Sequence, residues 1–308
     1  MTILLTSCFW LLIVNISFLI KRTAAFSTAT KQQTPIPPGI LGPPEPLKSL
    51  QVGQTLNAFR FIVSPDGNDQ KCDFEIERVS SSPNIFLLRN FVTASECDQI
   101  QALAEKGGMK TAETVTEGDT TSRKNCSVAW IPSSGPDGSS IVSGLVASTV
   151  NIFLSDAVKS HPSAGVENMQ VLKYDVGGEF VHHHDGDSRT LTVIYYLNGV
   201  GGTFFPLADR NDGVIPKNKD SVMELVNDLE PGKHGIFLKG SSSSSEQGES
   251  SNNKHTVLVN KGDAVAFYNY KDEGSAHLDW AALHCGSPAD ETKWIANHWY
   301  RLNELANY

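Results

Sequence analysis

His183 and Asp185 stand two positions apart in a Gly- and β-rich stretch. Side chains at i and i+2 of a strand lie on one face. An imidazole and a carboxylate can therefore meet one metal ion there and leave its other side open. A second imidazole would complete a set of two histidines and one carboxylate, the donor set that holds Fe(II) with free positions for oxygen chemistry. His284, about 100 residues downstream in an aromatic stretch, is the candidate for it. With nine histidines and 34 acids, a His-x-Asp arises by chance, so its surroundings decide. Gly177-Gly178 precede the pair and let the backbone turn tightly. Thr190–Leu197 reads as a buried strand, β-branched and aromatic, and Gly201-Gly202 mark a turn after it. Strand parity sends His182 and His184 to the opposite face, toward an outer layer or solvent.

A site of this kind needs a scaffold. The 308 residues, 40% hydrophobic, suffice for one or two domains with a real core. The net charge of −9 argues against a nucleic-acid surface, which rests on clustered Lys and Arg. Five cysteines without a CxxC exclude a zinc ribbon and are too few for a disulfide framework. Residues 3–20 form an uncharged apolar run, followed by Lys21-Arg22 and the small residues Thr23-Ala24-Ala25. Residues 1–25 therefore read as a signal peptide or membrane anchor. That directs the chain to the secretory pathway, in the endoplasmic reticulum lumen or anchored to its membrane. Phe26 and a following stretch poor in acids also fit a bipartite plastid leader. Residues 26–71, rich in Pro, Ser and Thr, read as a stem or linker. In the lumen, Asn125-Cys126-Ser127 would be a glycosylation sequon.

The folded domain is predicted over 72–308. Asn84–Val92 reads as a strand. Thr93 and Glu96 then form a capping box for a helix with Ile100 and Leu103 inward. Residues 107–122 are a loop, Ser127–Ile131 a short strand, and Ile141, Leu145, Thr149 and Phe153 the inner stripe of a second helix. An insertion spans 207–255. Ser221 and Glu224 cap a helix in it, and a serine run closes it with nothing to bury, so that shortening the run is expected to cost little. His234 and His255 flank that run as loop residues. Thr256–Val259, Ala264–Tyr270, His277–Cys285 and Trp294–Arg301 read as further strands. The fold class is α+β, mainly β: a jelly-roll core with N-terminal helices outside.

These residues resemble the prolyl 4-hydroxylase family. The family pattern Tyr-x-x-Gly-x-x-Tyr/Phe-x-x-His-x-Asp stands as Tyr174, Gly177, Phe180, His183 and Asp185. Its Arg-Thr-Tyr-Leu strand is matched by Arg189, Thr192, Tyr196 and Leu197, and its Gly-Gly-x-Thr-x-Phe-Pro element by Gly201–Pro206, one residue shorter. The distal segment is His284, Pro288, Lys293, Trp294 and Trp299. The resemblance covers about residues 80–302. It implies a double-stranded β-helix that uses Fe(II), 2-oxoglutarate and O2, with ascorbate, to hydroxylate proline in Pro-rich protein. It makes His183, Asp185 and His284 the iron ligands, pairs Lys293 with the distal carboxylate of 2-oxoglutarate, and lines that pocket with Tyr174, Thr203 and Trp299. Two further readings stay open: a same-fold oxygenase acting on another residue or a small molecule, and a jelly-roll binding module without catalysis. Three departures stand out. The loop between Asp185 and Arg189 is short, Lys293 follows His284 one residue early, and the insertion is long.

Overall fold

The computed structural model describes residues 41–62, 69–112, 123–135, 138–186, 188–210, 215, 218–241, 253–271, 277–302 and 305. The signal or anchor segment, the first part of the stem and the serine run lie outside the described residues. Among those described, no helix is long and apolar enough to cross a membrane, and the four cysteines are free thiols.

In chain order come β1 (Thr55–Ile62), β2 (Gln70–Ser81), β3 (Asn84–Arg89), α1 (Ala94–Lys106), β4 (Lys110–Thr111), β5 (Arg123–Ile131), α2 (Ser140–Phe153), α3 (Asp156–Lys159), β6 (Ala164–Val166), β7 (Met169–His183), β8 (Arg189–Tyr196), β9 (Gly202–Phe205), α4 (Lys219–Val226), β10 (Ile236–Gly240), β11 (Thr256–Val259), β12 (Ala264–Tyr268), β13 (His284–Ser287) and β14 (Lys293–Leu302). Neighbours in the sheet run β1-β2-β3-β12-β8-β14-β7-β13-β9-β10-β11, with β5 also beside β7.

Alternation along the strands sorts the core into two layers. On β8, Leu191, Val193 and Tyr195 face one layer, while Ile194 and Tyr196 face the other. On β12, Ala264, Ala266 and Tyr268 join the first layer, and Val265 and Phe267 the second. The first layer is closed by helices. Val142, Leu145, Thr149 and Phe153 of α2 recur at helical spacing and are fully buried. The second layer holds Phe205 of β9, Leu238 of β10 and Val259 of β11 beside Val265 and Phe267 of β12. Strands far apart in hydrogen-bonding order thus share one interior, so the sheet curls over itself. That is the jelly-roll expected from the strand count.

The folded unit begins before Cys72. β1 pairs along its whole length with β2, and Leu41 and Leu47 are buried in the helix-side layer. β1 reads as linker because it is an edge strand that buries one face only: Leu56, Ala58 and Arg60 point in, Phe59 and Phe61 out. Residues 277–283 are likewise no strand. A single 3-10 turn, Trp280–Ala282, leads into β13. The insertion is no appendage either, since β10 pairs with β9 on one side and, in parallel, with β11 on the other. Its helix α4 is capped by Asn218, whose side chain accepts from the Ser221 N–H, rather than by Ser221.

Helix α1 carries the predicted capping box. Its inner stripe is Cys97, Ile100 and Ala104, and Leu103 is exposed, one position off the buried face. Glu96 does more than cap. Its carboxylate receives the Thr93 N–H and the buried Arg60 guanidinium, and Arg60 also donates to Phe91 O at 2.7 Å. Glu96→Ala would strand that cation without its partner, a change that costs about 3–5 kcal/mol. The expected result is a large drop in denaturation midpoint, and a drop no greater than that of Thr93→Ala would contradict this role for the ion pair.

Candidate active site

β7 and β13 bring the predicted metal residues together. His183 ends β7 and pairs with His284, the first residue of β13. Asp185 lies just past the strand end, in the loop to β8. His183 Nε2 is 3.6 Å from Asp185 Oδ1, and His284 Nε2 is 3.9 Å from Asp185 Oδ2. One donor atom from each of the three lies within 4.8 Å of the others.

The surroundings fix how each group presents itself. His183 Nδ1 meets Val181 O at 3.0 Å, and His284 Nδ1 meets Ala282 O at 3.0 Å. A carbonyl can only accept, so both Nδ1 atoms carry the proton and both Nε2 lone pairs turn to the centre. Thr192 donates to Asp185 Oδ2 at 2.8 Å and accepts from Asn269 Nδ2 at 2.9 Å. Burial alone would raise the Asp185 pKa. His284, His183, the Trp299 N–H and Arg189 outweigh it and hold the carboxyl well below its usual range. The Trp299 N–H lies close enough for that but makes no full hydrogen bond. Burial, and then the neighbouring His284, keep His183 neutral. An anionic carboxylate with two neutral imidazoles suits a divalent cation. The centre opens at His183, whose side chain is 23% exposed against 5% for the other two.

A buried cation stands close by. Lys293 is 1% exposed, and its Nζ donates to Gly202 O at 2.8 Å and sits 5.4 Å above the Tyr174 ring. It makes no ion pair with any carboxylate among the described residues. The Nζ is 3.7 Å from the point a Cβ would occupy on Gly286, two residues after His284. Gly201 allows this approach, since a Cβ there would lie 2.3 Å from Lys293 Cδ. Thr203 Oγ1 accepts from Tyr196 OH at 2.9 Å in the same buried wall. Burial pushes the Lys293 pKa down to about 8.

Residues 169–301 match the family model of the 2OG-Fe(II) oxygenase superfamily. That stretch, which holds the site residues from Tyr174 to Trp299, is similar to that superfamily. Two Arabidopsis thaliana proteins are similar to this oxygenase. One is Probable prolyl 4-hydroxylase 8, 28% identical over 78% of this chain and 76% of its own. The other is Prolyl 4-hydroxylase 5, 28% identical over 78% of this chain and 75% of its own. A solved viral collagen prolyl hydroxylase from Paramecium Bursaria Chlorella virus-1 overlaps at a TM-score of 0.43, with 20% identity over 70% of this chain and 95% of that one. The protein is a 2-oxoglutarate- and Fe(II)-dependent dioxygenase, and O2 is its oxidant.

Several positions in the oxygenase differ from the parity reading. Phe180 and His183 both face β13, where Gly286 pairs with Phe180 and His284 with His183. Three residues on β7 thus span two on β13, and this bulge re-aims the strand end. His184 does not face solvent. Its Nε2 meets Asp279 O at 2.9 Å, and its Nδ1 accepts from the Gly186 N–H at 2.9 Å. His182 is half-buried with its ring against Phe204. His234 accepts from the Glu230 N–H in its own turn, and His255 Nδ1 bonds across to Gly235 O at 2.8 Å.

Trp299 touches Trp130 in a tilted contact and carries over its ring, at 4.0 Å, the Arg189 guanidinium, which Glu167 holds bidentate. Arg123 is a site residue that the sequence did not reveal. Its guanidinium lies 4.1 Å over Phe180, whose ring stacks 3.8 Å from His183. The pairing of Arg123 with Phe180 depends on β5 starting at residue 123, four positions before the readable strand signal.

Proposed function

We propose that the dioxygenase hydroxylates peptidyl proline at C4, with His183, Asp185 and His284 holding the iron. Lys293 then takes the distal carboxylate of 2-oxoglutarate, and Thr203 and Tyr174 supply hydroxyls to that pocket. The observation that carries the assignment is the buried Lys293 ammonium without a carboxylate partner among the described residues, next to a triad open on one side. A buried dicarboxylate needs such a cation, because burying an unpaired charge is prohibitive.

When bound, the iron would activate O2 by giving it electrons, with 2-oxoglutarate as the reductant, so that one oxygen atom enters the substrate C–H bond and the other the succinate formed as 2-oxoglutarate loses CO2. The chain's own residues hold and orient. The carbonyls of Val181 and Ala282 keep both imidazoles turned inward, Thr192 and Asn269 fix the carboxylate, and Phe205 and Phe267 flank His284 and exclude water from that side. Trp299, stacked on Arg189, walls the pocket next to Asp185. The proline assignment is supported by the two prolyl 4-hydroxylases to which the chain is similar. Ascorbate as reductant, Pro-rich protein as substrate, and residence in the endoplasmic reticulum through the N-terminal segment belong to the same proposal.

The test is succinate release with Pro-rich peptides, read together with the mass gain of one oxygen on proline. Succinate formed without any oxygenated proline would rule out the prolyl substrate.

A pH dependence follows from Lys293. Its pKa in the free protein is lowered to about 8 by burial. Below that pH the ammonium is charged and the carboxylate binds at full strength. Above it the free protein must take up a proton to bind, so affinity for 2-oxoglutarate should fall as pH rises from 8 toward 9. Stability of the free protein moves the other way, rising between pH 8 and 10.5 because the unfolded chain then binds the extra proton. Titration of the 2-oxoglutarate requirement against pH checks the first arm, and a flat profile above pH 8 would contradict it.

A further inference from the structure

Helix α4 of the insertion forms a wall beside the triad that the reaction described so far does not use. A cavity of about 290 Å³ is lined by His183 and Asp185 on one side and by Lys219 and Met223 of α4 on the other, with Leu278 and Trp280 between. None of Lys293, Tyr174, Thr203 or Trp299 lines it, so 2-oxoglutarate seated at Lys293 leaves it free.

The wall is built into the core. Val222 and Val226 of α4 are fully buried against Leu207 and Leu283, and Trp280 and Met223 pack on that cluster. Leu283 is the residue before His284. The same turn is fixed from the other side by His184, which meets Asp279 O at 2.9 Å and has its ring 5.3 Å from that of Trp280.

The cavity's chemistry is therefore narrow. Its surface is mainly apolar and aromatic, with the imidazoles of His182, His183 and His184 on one side. Its carboxylate, Asp185, is committed to the iron in the proposed site. Lys219 is its remaining charge, exposed and without an ion-pair partner among the described residues. A segment that places an apolar ring against Trp280 and Met223 and a carboxylate near Lys219 complements these groups, and a hydrogen-bonding group beside it would meet His182 Nε2, which has no hydrogen-bond partner among the described residues. A basic segment would meet like charge.

We infer that α4 is a specificity wall and that the substrate carries an acidic residue next to the hydroxylated proline, received by Lys219. This rests on the prolyl reading above. Lys219 acts on the substrate and not on the iron, so the effect belongs in KM more than in kcat.

The experiment uses the whole protein with Fe(II), 2-oxoglutarate and three peptides in which glutamate, glutamine or lysine flanks one proline. Wild-type protein should favour the glutamate peptide over the lysine peptide by about fivefold in kcat/KM, the scale of one partly exposed charge contact. Lys219→Glu should invert that ratio and Lys219→Arg should preserve it. The ratio is independent of how much of each variant folds. If prolines are hydroxylated with no dependence on the flanking charge, or with the same order in Lys219→Glu, the inference falls and the prolyl reading stands. If no peptide is hydroxylated while the wild-type protein still converts 2-oxoglutarate to succinate, the prolyl reading falls and takes the inference with it.

Discussion

Lys293→Ala is expected to raise the 2-oxoglutarate concentration for half-maximal turnover about a hundredfold or more while iron binding survives. Removing one partner of a buried ion pair costs about 3–5 kcal/mol, and every 1.4 kcal/mol is roughly tenfold in affinity. The loss should appear only in the presence of 2-oxoglutarate. In the free protein the ammonium is buried with Gly202 O as its hydrogen-bond acceptor and no counter-charge. Its lowered pKa means that burial of the charge costs roughly 3 kcal/mol. Lys293→Met, which keeps the volume and drops the charge, should therefore melt no lower than wild type without 2-oxoglutarate, and should gain less when it is added. An unchanged 2-oxoglutarate requirement in either variant would remove Lys293 from the pocket.

His183→Ala should abolish Fe(II)-dependent turnover, because two remaining donors hold a divalent ion poorly. The neighbouring histidines separate position from ligation. His184→Ala leaves all three donor atoms in place but frees the Gly186 N–H and Asp279 O, which flank Asp185 and the turn before His284. Outer partners of this kind are worth about 10- to 100-fold in metal affinity, so His184→Ala should need more iron and recover at saturation. His182→Ala, with its ring against Phe204, should lose only a few-fold. Metal titration of the three variants decides. Loss of iron in His184→Ala with retention in His183→Ala would move the centre by one residue.

What could be read in the sequence was what is local or periodic. The spacing from Tyr174 to Asp185 picks out His183, α1's cap lies in Thr93 and Glu96, and α2's stripe in every third or fourth residue. The curl of the sheet was legible only as a count of strands. What could not be read depends on partners distant in the chain. The bulge between Phe180 and His183 exists because β13 pairs with β7 out of step. Arg123 reaches Phe180 only through the full length of β5. β1 is invisible because its alternation is inverted, with Arg60 pointing in and Phe59 and Phe61 pointing out. Asn218 outcompeted Ser221 as a cap because the helix began one turn earlier than its apolar pattern.

The parallel pairing of β10 with β11 sets a minimum tether length. Parallel neighbours begin at the same end, so the chain leaving Gly240 must travel back to the level of Phe237, where Thr256 pairs, and such returns take about a dozen residues. The residues between them, 241–255, are about that many. Excising 242–252 would leave Ser241 and Asn253–His255, four residues where a parallel return takes about a dozen, and is expected to loosen β11 from the sheet. A protease nick in the same stretch, or extra serines inserted there, removes no reach. Comparing the melting of nicked, lengthened and shortened forms distinguishes these cases. The serine run is thus free in composition and constrained in contour length.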